Sequence, residues 1–137
     1  MFVLLPRALL ASLIITAAAF AAEPLRFDFS PSPLSAILQA VEKIHRYTDG
    51  MTQAQFAADD KTVDAVVRNI SVIGEAAGRI AQDVMSMSPD IPWAEMRDMR
   101  NVVIHEYFGV DKTILWETIQ KDLPPLAPAL VEFKAKL

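Results

Sequence analysis

"DDKTVDAVVRNISVIGEAAGRIAQ" occupies residues 59–82, and its reading decides the fold. Val63, Val66, Ile70, Ile73, Ala77 and Ile80, with Val84 just beyond, follow one another at alternating steps of three and four. Such spacing lays one apolar stripe along an α-helix, as in a helix packed within a bundle. Asp60 is the expected N-cap of this long helix. Gly74, Ala76, Ala77, Gly78 and Ala81 concentrate small side chains in its second half, so a neighbouring helix can come close.

The flanking segments read the same way. On the N-terminal side, Ser32 caps a helix that has Pro33 at its first position. Leu34, Ile37, Leu38, Val41 and Ile44 form its stripe, and Gly50 lies just past its end. Thr52 with Gln55 makes a capping box for a short helix around Phe56. On the C-terminal side, "MSMSPDIP" is a loop. Pro92 opens a helix that Gly109 closes, and Asp111 caps another. "DLPP" at 122–125 is expected to break that one before a final short helix to Leu137. No segment alternates with period two, and there is no internal repeat or glycine-rich phosphate loop. The expected fold is all-α, an antiparallel bundle of about four main helices plus short ones.

The 137-residue chain has no cysteine and two histidines, His45 and His105. Disulfides and thiolate metal sites are thereby excluded, and a multi-histidine metal site within one chain is not expected. Net charge is −4, and from Glu23 onward 12 Lys and Arg face 17 Asp and Glu, giving −5. General nucleic-acid binders are usually basic, so any RNA contact has to be made in a local basic cleft.

The first 26 residues stand apart. "MFVLLPRALLASLIITAAAFAAEP" has one arginine, an apolar run from Ala8 to Ala22, and Ala19-Phe20-Ala21 as an A-x-A cleavage site. It reads either as a secretory signal or as an over-extended start. Under both readings residues 1–26 lie outside the fold and residues 27–137 form one helical domain. No stable membrane association is expected, because the run is short for a membrane span.

Within "MRDMRNVVIHEYFGVD" at 96–111, a helical wheel places Arg100 in the middle of the apolar face formed by Trp93, Met96, Val103, Ile104 and Tyr107. A guanidinium cannot shed its charge, so this position needs a reason. Asn101, His105 and Asp98 fall together on a flank, and Asn101 and His105, four apart, can touch. Read blandly, Arg100 forms a structural ion pair with Glu75 or Glu106, and His105 merely faces the negative end of its helix. His45 reads as surface or interface. Arg68, Arg79 and Arg97 read as a solvated face or ion pairs, and Trp93 and Trp116 as core.

Residues from about Leu34 to Leu126 resemble the HepT-like branch of the HEPN proteins. The carriers are "AILQAVEKIHRYTDGM", the 59–82 stretch, "DIPWAEMRDMRNVVIHEYFGVD" and "ILWETIQKDLPPL", in the family's order. The family signature, Arg, four to six residues, His, one residue and Tyr, is met by Arg100, His105 and Tyr107, with four residues between Arg and His. The resemblance implies a homodimeric, metal-independent endoribonuclease that needs no cofactor and serves as the toxin of a toxin–antitoxin pair. It also implies a partner, a minimal nucleotidyltransferase antitoxin that adenylylates the motif tyrosine, here Tyr107. RNA and this partner are cytoplasmic, so the expected location is the cytoplasm, with export the alternative if segment 1–22 is a genuine signal.

The residue types suit that chemistry. Metal-free RNA cleavage needs a base for the 2′-OH proton, an acid for the leaving 5′-oxygen, and a cation on the phosphorane. Imidazole suits the proton transfers, and a guanidinium matches phosphate oxygens. The expected catalytic set is Arg100, His105 and Asn101, supported by Glu75 and Asp98, with Tyr107 the modification site. Each chain offers one imidazole in this region, so a two-fold dimer would supply the second. Two rival readings remain: a non-enzymatic dimer that accepts adenylate, and an exported helical protein of unrelated function.

Overall fold

A computed structural model of the chain describes residues 32–105 and 109–137, and only the backbone of residues 101–105. The expectations for residues 1–26, for the Tyr107 site and for the side chains of Asn101 and His105 therefore lie outside the described residues. The described residues form α1 (Pro33–Thr48), α2 (Gln53–Ala58), α3 (Asp60–Ala77), α4 (Gln82–Ser86), α5 (Trp93–His105) and α6 (Lys112–Glu117). A π-helical turn, Thr118–Asp122, then leads into α7 (Leu123–Lys136). Four of these helices are long and three are short, with no strand among the described residues. The fold is all-α.

Helix starts follow local capping chemistry. Ser32 Oγ accepts from the Ser35 amide ahead of Pro33, and Thr52 and Gln55 exchange both bonds of a capping box. Gly50 beyond α1 has φ +74°, a left-handed conformation that glycine adopts without a Cβ penalty. Asp111 caps α6 by accepting from the Thr113 and Ile114 amides. Asp59, not Asp60, caps α3. Its carboxylate accepts from the Thr62 hydroxyl at 2.8 Å and from the Thr62 amide at 3.1 Å. These bonds, the hydroxyl's foremost, hold the Asp59 carboxyl below its ordinary value of 3.8.

Two expectations about helix ends are corrected. The 59–82 stretch does not run on to Val84 as one helix, because α3 ends at Ala77 and Gly78 is its C-cap. Glycine is a poor helix former, and the Arg79 and Ile80 amides turn back to the Ala76 and Ala77 carbonyls. Val84 then belongs to the separate α4. "DLPP" does not break the chain between α6 and α7 either. The π turn widens the helix just before it, and Pro124 and Pro125 fall in the first turn of α7, where a missing N–H costs no intrahelical bond.

Helix α3 is central, packing along α1 on one side and α5 on the other. Its Val66, Ile73, Ala76 and Ala77 are fully buried, together with Ile37 and Ile44 of α1, Phe56 of α2, Met96 of α5 and Leu130 of α7. Each large apolar side chain buried this way contributes about 1.5–3 kcal/mol. Rings tie the short helices and the ends together. Phe56 meets Trp116 with centroids 5.5 Å apart, and Trp93 meets Phe133 edge-on at 5.7 Å. Lys134 Nζ donates to Ser35 Oγ, joining the last helix to the first. Among the described residues no helix is long and apolar enough to cross a membrane.

Candidate active site

Helix α5 carries the Arg-x4-His spacing, and three contacts fix its place. At its start Trp93 is buried, and its indole N–H donates to the Ser88 carbonyl at 3.0 Å. In its middle it crosses α3 at Gly74. A Cβ built on Gly74 would stand 2.7 Å from the Arg100 amide nitrogen and 2.8 Å from the Arg100 Cβ, distances that no side chain tolerates. Beyond residue 108, Lys112 Nζ donates at 2.8 Å to both the Ala57 carbonyl and Asp60 Oδ1, clamping the chain to the α2–α3 junction.

The crossing explains Arg100. Its backbone and Cβ press on Gly74, as a residue on the packed face should. Its guanidinium runs outward from the crossing, and the Arg100 side chain remains 51% exposed. There Nη1 donates to Glu75 Oε2 at 2.8 Å. Arg79 Nη2 lies 3.7 Å from Oε1 of the same carboxylate. Two guanidiniums share one carboxylate, and Glu75 engages Arg100 through Nη1.

Of the residues expected to form the site, Arg100 and Glu75 are brought into contact by the structure. Asp98 is exposed on α5, and the carboxylate on Arg100 is that of Glu75. Asn101 and His105 occupy the last turns of α5, four residues apart on its backbone. His45 is exposed on α1, away from α5. Sequence reasoning missed three residues: Gly74 as the crossing point, Arg79 as the second cation on Glu75, and Lys112 as the clamp. For Gly74 the signal was present in the small-residue run, but nothing there named Arg100 as its partner. Among the described residues, no group of three or more His, Asp or Glu side chains comes together as a metal site.

The cluster can bind an anion. A guanidinium held by Glu75 on an exposed surface has the geometry to pair with a phosphate oxygen.

The family model described as "Ribonuclease HepT-like" matches residues 37–133, which include Gly74, Glu75, Arg100 and His105. A probable ribonuclease HepT of Thermococcus cleftensis is 43% identical over 93 residues, covering 68% of this chain and 84% of that protein. A protein of Caldanaerobacter subterraneus named as a candidate RNase is 36% identical over 108 residues, 78% of this chain and 96% of that one. A longer protein of Methanocaldococcus jannaschii, named as a gamma-glutamylcyclotransferase and candidate RNase, is 36% identical over 76% of this chain and 47% of its own length. No solved structure matches the chain. With the family model spanning more than two thirds of its length, the chain belongs to the HepT-like family of ribonucleases.

Proposed function

We propose that the protein is a metal-independent endoribonuclease, the toxin of a toxin–antitoxin pair, in which Arg100 and His105 do the chemistry. The observation that carries this reading is the placement of Arg100, braced by Glu75 over Gly74 five residues before His105, inside the span matched by a ribonuclease family. Two protomers related by a two-fold axis bring their Arg100–His105 sets to one cleft. His105 takes the proton from the 2′-hydroxyl, whose oxygen attacks the adjacent phosphorus. The bond from phosphorus to the 5′-oxygen breaks, and His105 of the partner subunit protonates the leaving oxygen. Arg100 carries the charge that develops on the phosphorane, and Asn101 orients the imidazole or the phosphate. The products are a 2′,3′-cyclic phosphate and a 5′-hydroxyl.

Tyr107 is the off-switch. A minimal nucleotidyltransferase partner adds adenylate to it, which places bulk and negative charge near Arg100 and competes with substrate phosphate. Substrate and partner place the working protein in the cytoplasm.

The acidic body, −5 from Glu23 onward, favours a second reading, a helical dimer that binds the nucleotidyltransferase and accepts adenylate without cutting RNA. Incubating unmodified protein with RNA in the presence of a chelator separates the two. Cleavage that disappears in His105→Ala supports the nuclease. Intact RNA, with Tyr107 still adenylylated by the partner, supports the acceptor.

A further inference from the structure

A second cationic surface lies further toward the N-terminus of α3. Between α1 and α3 runs a groove of about 390 Å³ lined by Gln39, Lys43, Tyr47, Arg68, Asn69 and Val72. It is open because the positions at its base are small: Ala36 and Ala40 on α1, Ala65 on α3. The long side chains stand at its walls, with Lys43 and Arg68 both exposed. Among the described residues its lining holds two cationic side chains and no carboxylate, in a chain with 17 acids against 13 Lys and Arg. At one end, the Arg46 guanidinium sits over the Tyr47 ring, 5.6 Å from its centroid. Asn69 spends its Nδ2 on the Ala65 carbonyl at 2.8 Å and keeps its side-chain oxygen as an acceptor.

Arg68 and Val72 of the groove share a face of α3 with Glu75 of the candidate active site. Arg68, Val72 and Glu75 follow at i, i+4 and i+7, a stripe that stays on one side of α3. Seven residues of helix separate Arg68 from Glu75, about 10 Å along the axis. A strand whose phosphate rests on Arg100 therefore reaches the groove within a short extended stretch.

We propose that this groove is a binding subsite for single-stranded RNA on the approach to the Arg100 site. Lys43 and Arg68 hold a backbone phosphate. The Tyr47–Arg46 stack offers a planar surface to a base, and Gln39 and Asn69 offer hydrogen bonds to its edge. The proposal rests on the ribonuclease reading and adds the path by which an acidic protein holds its substrate. Single-stranded RNA fits better than duplex, because only an unpaired base offers its face to the exposed Tyr47 ring.

The test is binding of a fluorescently labelled single-stranded RNA oligonucleotide by full-length protein in a His105→Ala background, so that the RNA stays intact. Lys43→Ala/Arg68→Ala is compared with Lys121→Ala/Lys136→Ala, which removes two exposed lysines elsewhere, and thermal melts verify that both fold. The expected result is at least a tenfold loss of affinity for the groove variant, with a salt slope smaller by about 0.7, the contribution of one neutralised phosphate of a single strand. Lys43→Arg retains binding, and the control pair stays within about twofold of the parent. Equal losses in both double variants, or none in either, overturn the groove while RNA cleavage by the native protein leaves the nuclease reading standing. Native protein that neither binds nor cleaves RNA overturns both.

Discussion

Gly74 and Arg100 meet at the crossing of α3 and α5 so closely that a methyl group on Gly74 would lie 2.7 Å from the Arg100 amide nitrogen. The contact is to backbone and Cβ, which cannot swing aside. It sets the height at which α5 rides on α3, and with it the point where the Arg100 guanidinium emerges beside Glu75.

Gly74→Ala should therefore destabilise the protein by about 1–3 kcal/mol, the usual cost of overpacking a filled interface. The sign is informative. In an unobstructed helix the same change stabilises by roughly 0.5–1 kcal/mol. Urea unfolding of both proteins checks it. RNA cleavage should fall as well, because Arg100 moves with α5.

Glu75→Gln separates positioning from stability. The pair is half exposed on the Arg100 side, and exposed ion pairs contribute about 0–1 kcal/mol. Unfolding free energy should change by no more than that. Cleavage should drop several-fold through kcat, because the guanidinium loses the carboxylate that orients it. Equal activity in the variant would show that Glu75 does not position Arg100.

Asp59 makes stability depend on acid. Its carboxyl is held below 3.8 in the folded protein by the Thr62 bonds, so the folded state binds the proton less readily than the unfolded one. The stabilisation is complete above the unfolded value and fades as pH falls through the folded one. Asp59→Asn should lower the Tm at neutral pH and should flatten the part of the Tm profile below pH 4 that this group causes. Melts from pH 2 to 7 on both proteins check it.

If the proposed silencing operates, Tyr107 should carry adenylate when the protein is purified from its own host with any nucleotidyltransferase that accompanies it. Intact-mass and peptide-mass analysis reads this directly. Tyr107→Phe should escape modification and remain toxic in cells that express the partner. Suppression of the Phe variant by the partner would mean that silencing works by another route.

How much of this was legible beforehand depended on how local each signal is. The Ser32, Thr52–Gln55 and Asp111 caps, and Gly50 past α1, involve residues within a few positions of one another, and all stand as read. The end of α3 was hidden because the apolar period runs on through Ile80 and Val84 while Gly78 stops the helix. The prolines after Asp122 read as a break because a π turn, which spacing does not announce, delivers them to positions that need no N–H. For Arg100 the wheel gave the direction of the side chain. It could not give the close approach of the Arg100 backbone and Cβ to Gly74. Glu75 was named as its holder from the small-residue run, whereas Arg79 on the same carboxylate, the Lys112 clamp and the Lys43–Arg68 groove join residues that no sequence spacing relates.

The most direct measurement of the central claim is the chemistry of RNA ends after incubation with unmodified protein in excess chelator. The account predicts fragments bearing 2′,3′-cyclic phosphate and 5′-hydroxyl ends from the native protein, and uncut RNA from Arg100→Ala and His105→Ala. Cleavage that requires an added divalent cation, or that persists unchanged in His105→Ala, would contradict it.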